Sequence, residues 1–119
     1  MACRFTELVV DAADPHRIAG FWAEVLGYEI TEKGDDWAYI EGGAEGAPGI
    51  VFGTVPEPKT VKNRVHIDVN PTDRDRDAEV ERIIALGARR IDIGQGEQTW
   101  VVLADPEGNE FCVLQTVKP

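Results

Sequence analysis

Apolar and polar residues alternate with a period of two at the start of the chain. In residues 4–10 (RFTELVV), Thr6, Leu8 and Val10 share one face and Phe5, Glu7 and Val9 the other, which predicts a strand. The period then changes to that of a helix. Ile18, Phe21, Trp22 and Val25 form its apolar stripe, with Asp14-Pro15 as cap and first helical residue and Gly27 as its stop. Two short strands follow at residues 28–33 and 37–41, joined by a turn at Gly34-Asp35. A glycine-rich loop spans 42–49, a fourth strand 50–55, and a polar connector with two prolines 56–63.

The same order then returns. Residues 64–69 (RVHIDV) predict a strand, and a helix follows over 75–86, with Val80, Ile83 and Ile84 on its stripe and Gly87 as its cap. Strands are predicted at 89–94, 98–103 and 110–117. The last opens from the turn DPEGNE, with Glu110, Cys112 and Leu114 on one face and Phe111 and Val113 on the other. Leu26-Gly27 answers Leu86-Gly87 and Trp37 answers Trp100, so the second half restates the first at a nearly constant offset. The expectation is an α+β chain: two tandem βαβββ modules, about 4–55 and 64–117, forming an open barrel-like cleft within a single domain, 1–119.

Composition narrows the class. With 119 residues, 43% hydrophobic and 29% charged, the chain can bury a core. A net charge of −10 excludes the basic surface that nucleic acids and anionic membranes require. The sequence shows no signal peptide and no apolar run long enough for a membrane-spanning helix. Its two cysteines, Cys3 and Cys112, form no close-set pair. These features predict a reduced, cytoplasmic protein with inert thiols.

The duplication supplies a geometric argument. If Val65, Ile67 and Val69 cover the helix, His66 and Asp68 point the other way. Glu7 and His66 occupy equivalent positions in the two halves. Glu7, His66 and Glu110 would then converge from three strands on one cleft. One imidazole and two carboxylates suit a divalent metal such as Zn, Ni, Mn or Fe, with coordination positions left open for substrate. Trp37, Trp100 and Phe52 would line the cleft against a planar ligand. Simpler roles stand beside these. His66 could pair with Glu110 or Asp68, Asp68 could support the site or cap the helix, His16 reads as surface, and Trp22 as core.

These motifs resemble the vicinal-oxygen-chelate superfamily of glyoxalases, bleomycin-resistance proteins and extradiol dioxygenases. The match runs through DPHRIAGFWAEVLGYE, RVHIDV, EVERIIALGA and DPEGNEFCVL. The resemblance implies paired modules, usually in a homodimer, with metal ligands from the first, fourth, fifth and eighth strands. Those positions fall on Glu7, Ile50, His66 and Glu110, and the isoleucine removes one glutamate of the glyoxalase pair. True glyoxalase activity is therefore not expected. The readings left open are a metal-dependent lyase, isomerase or dioxygenase using Glu110 and Glu7, a metal-free protein that sequesters a ligand or antibiotic, and a bare interaction domain.

Overall fold

The computed structural model describes residues 1–119 and consists of two units, residues 1–58 and 59–119. Each contains a helix and a four-stranded sheet. In the first, β1 (Glu7–Ala12), α1 (Pro15–Leu26), β2 (Glu29–Lys33), β3 (Trp37–Glu41) and β4 (Gly49–Thr54) follow in order. The sheet runs β1-β4-β3-β2, with β1 and β4 parallel and the other pairs antiparallel, so it does not close on itself. The second unit repeats this with β5 (Ile67–Val69), α2 (Arg76–Leu86), β6 (Arg89–Arg90), β7 (Val101–Ala104) and β8 (Glu110–Val113), in the sheet order β5-β8-β7-β6. The fold class is therefore α+β with two βαβββ modules, as the repeat predicts.

Local chemistry explains the helix ends. The Asp14 carboxylate accepts from the Arg17 amide at 3.2 Å, Pro15 sits where a free N–H would be wasted, and Gly27 takes the left-handed conformation at φ 69°. In the second module the Asp75 carboxylate accepts from Ala78 N at 2.8 Å. The core of module one forms where Ile18, Ala19 and Trp22 meet Ala38, Ile40, Ile50 and Phe52, all buried. In module two, Val80, Ile83, Leu103, Phe111 and Val113 are buried.

The second module departs from expectation in its strand lengths. Residues 64–66 are outside β5, and Val65 is 74% exposed instead of covering a helix. The cause lies at Asn63, whose amide and side chain bond to Glu110 and Asn109 and so direct the chain away from a regular ladder. The strand expected over 89–94 stops at Arg90. Asp92 accepts from Gly94 N at 2.7 Å and Gln95 from Ile93 N at 2.9 Å, and these local bonds replace ladder bonds. Trp100 falls just before β7.

Candidate functional site

The site is built from the turn that precedes β8. Asp105 is buried, and its Oδ1 accepts from the amides of Glu107 at 2.9 Å and Asn109 at 3.0 Å, while Oδ2 accepts from Asn109 Nδ2 at 3.0 Å. Gly108 supplies the positive φ of 89° that closes the turn. Asn109, so held, accepts through Oδ1 from Asn63 Nδ2 at 2.9 Å. This fixes the segment 59–63 beside the start of β8. There Lys59 Nζ donates to Glu110 Oε1 at 2.8 Å and the Asn63 amide donates to Oε2 at 3.1 Å. Lys59 also donates to the Val61 carbonyl.

Glu110 is only 10% exposed at its side chain. Burial pushes its carboxyl upward, but the Lys59 ammonium and the Asn63 amide outweigh that and hold it below the ordinary carboxylate range. It is an ionised carboxylate with both oxygens already engaged.

A second group lies on the same strands. β5 and β8 are parallel with Asp68 opposite Cys112, and His66 immediately precedes the first paired residue, Ile67. His66 Nε2 is 3.2 Å from Asp68 Oδ1. The donor atoms of His66, Asp68 and Cys112 all lie within 4.8 Å of one another. Cys112 is buried, and burial together with the Asp68 charge pushes its thiol up. The fold thus gathers one imidazole, one carboxylate and one thiol, and Glu110 is not in that group. Sequence reasoning gave Asp68 a supporting role and read Cys112 as inert. Alternation already put Cys112 on the face of Glu110. Which of the two meets the His66–Asp68 pair depends on strand register, which the sequence does not display.

In the first module Glu7 is exposed and lies opposite Gly49. A Cβ on Gly49 would run into the Tyr39 phenol, so the Tyr39 ring occupies the place a side chain would take there. The Glu41 carboxylate beside Tyr39, partial burial and the Glu7 charge push that phenol above its ordinary range. Trp37 is 39% exposed, with its indole lying over Gly34, and Trp100 is 37% exposed. Phe52 does not join them. It is 1% exposed and belongs to the buried face with Ile50 and Ala38, so a ligand-stacking role for Phe52 is corrected to a core role.

Residues 7–114 match the glyoxalase-like domain family. The chain belongs to that family. The solved structures agree on the fold. A fosfomycin resistance protein, FosX, from Listeria monocytogenes, complexed with Mn(II) and sulfate, has a TM-score of 0.72 at 17% identity over 98% of this chain and 93% of its own. A glyoxalase/bleomycin resistance protein/dioxygenase family enzyme from Burkholderia phytofirmans has 0.69 at 21%, over 91% and 94%. A hypothetical protein from S. aureus has 0.71 at 16%, over 98% and 96%. No curated protein matches the chain.

Register corrects one position in this glyoxalase-like chain. The apolar pair Leu8–Ile50 of module one answers Ile67–Phe111 of module two, so Glu110, which precedes Phe111, answers Gly49, which precedes Ile50. The fourth-strand equivalent of Glu110 is Gly49, not Ile50, which is buried in the core. The position still offers no ligand. The donor chemistry of His66, Asp68 and Cys112 fits a divalent ion. No helix is long and apolar enough to cross a membrane.

Proposed function

We propose that this chain is a glyoxalase-like small-molecule-binding protein that works with a divalent metal as a lyase, isomerase or dioxygenase on a substrate with neighbouring oxygens. The observation that supports it is the group of His66, Asp68 and Cys112, whose donor atoms lie within 4.8 Å of one another. His66 is the anchor of the metal, and the family resemblance adds Glu110 and Glu7. A bound divalent ion would supply Lewis acidity toward the substrate oxygens. Lys59 and Asn63 keep Glu110 ionised and fix its orientation, and to take a substrate proton its carboxylate would give up one of these contacts. The half-exposed indoles of Trp37 and Trp100 offer flat apolar surface to a ligand. A homodimer in the cytoplasm belongs to the same reading.

A second reading, metal-free sequestration of a ligand or antibiotic, is favoured by one observation: the Lys59 ammonium already sits on Glu110. Elemental analysis after incubation with Zn, Ni, Mn and Fe(II) separates the two. The metal reading expects one equivalent retained by the wild type and lost in His66→Ala. No retained metal leaves the sequestering reading, which tryptophan fluorescence with aromatic ligands then tests.

A further inference from the structure

We infer that the metal site of this chain is built from His66, Asp68 and Cys112, with Glu110 outside it, and that its thiolate makes it a site for zinc. The inference rests on the metal-dependent reading above, keeps His66 from it, replaces Glu110 and Glu7 as donors, and names the ion.

Three observations carry it. First, Glu110 is already satisfied. Lys59 Nζ takes one oxygen at 2.8 Å and the Asn63 amide the other at 3.1 Å, and Lys59 is itself held by the Val61 carbonyl. An ion placed on Glu110 would have to displace an ammonium and sit beside it. Second, the geometry two residues along the strands is already close to that of ligands. His66 Nε2 and Asp68 Oδ1 are 3.2 Å apart as a pair whose contact an ion would replace, and two donors on one tetrahedral zinc sit about 3.4 Å apart. Cys112, directly opposite Asp68, completes a group within 4.8 Å. Third, the burial is graded. His66 and Asp68 are about half exposed, so an ion can reach them, while Cys112 forms a buried floor.

The donor set decides the ion. Imidazole, carboxylate and thiolate together suit zinc, whereas manganese prefers oxygen donors and has the weakest affinity of the divalent series. Three protein donors leave a fourth position for water or substrate oxygen. Binding would release the thiol proton, so zinc uptake is accompanied by proton release to solvent.

Cobalt(II) reports the thiolate directly. The protein should be titrated with Co(II) in a Cys3→Ser background, because Cys3 is an exposed free thiol. One equivalent should bind with a near-ultraviolet thiolate-to-cobalt charge-transfer band, and Zn(II) should displace it while Mn(II) at the same concentration does not. Cys112→Ser should abolish the band. Asp68→Asn, at a half-exposed position that leaves folding intact, should weaken binding at least about tenfold. Glu110→Gln should keep both the band and the affinity. Binding without the band, lost in Glu110→Gln and retained in Cys112→Ser, overturns this inference and leaves the metal-dependent reading standing. No Co(II) or Zn(II) bound to the folded wild type overturns both.

Discussion

The two modules repeat one plan but stabilise it differently. In the first, β1 and β4 run side by side for six residues, and the register is set by a continuous backbone ladder. In the second, β5 and β8 share three residues, and the neighbouring chain is held by side chains instead: Asp105 to Asn109, Asn109 to Asn63, Asn63 and Lys59 to Glu110. The face of β4 turned away from Ile50 and Phe52 carries Gly49, Val51 and Gly53, while the face of β8 turned away from Phe111 and Val113 carries Glu110 and Cys112. Module one is thus the ladder-built scaffold, with the Tyr39 ring filling the place beside Gly49. Module two has the shorter ladder and carries these polar groups.

The comparison predicts unequal responses to mutation. The largest should come from Asp105→Ala. It removes a buried acceptor of two amides and a side-chain N–H, so it leaves donors without partners and frees Asn109. The expected loss is about 3 kcal/mol in urea unfolding. Hydrogen exchange should rise in residues 59–63 and not in β1 or β4. Uniform loosening of both modules would break the contrast. Next is Gly49→Ala, where a methyl group meets the Tyr39 phenol. The expected cost is about 2 kcal/mol. In a Tyr39→Ala background the same change should be nearly neutral, and a cost that persists there would mean that Tyr39 is not what fills the slot.

How much of this the sequence showed follows the same division. The helix caps, the repeat and the core of Trp22, Ile18 and Ile83 were legible because period and capping chemistry are local properties. Register was not legible. An offset counted along the chain put the fourth-strand equivalent of Glu110 on Ile50, next to Gly49, and a slip of one position in a strand exchanges the faces. Phe52 was misread for a related reason. Aromatic character does not reveal which side of a sheet a ring occupies, and its alternation with Ile50 was the better signal. The wiring of Lys59 and Asn63 to Glu110 joins side chains far apart in sequence, from a polar connector where no periodicity marks them.

A smaller effect should come from the Lys59–Glu110 pair. Lys59→Met leaves a carboxylate that is 10% exposed without its ammonium, and about 1 kcal/mol of stability should be lost at neutral pH. The sign with pH is fixed by the direction of the shift. The Glu110 carboxyl is held below its ordinary value of 4.5, so its contribution is present above that value. It disappears as pH falls through the lower, folded-state value. The difference between wild type and Lys59→Met in urea midpoint should therefore be full at pH 7 and shrink toward zero in acid. A difference that stayed constant into acid would assign the effect to lost packing of the lysine stem.

The smallest effect belongs to the scaffold module. His16 Nε2 lies 2.6 Å from the Gly34 carbonyl and ties the start of α1 to the β2–β3 turn, yet the bond lies exposed to solvent. Water replaces such a bond at little cost, so His16→Ala should lose no more than about 0.5 kcal/mol. The ladder of β1 and β4 fixes module one without it. If His16→Ala instead cost as much as Lys59→Met, module one would depend on side-chain ties as module two does. The division between a ladder-built copy and a side-chain-wired copy would then be wrong.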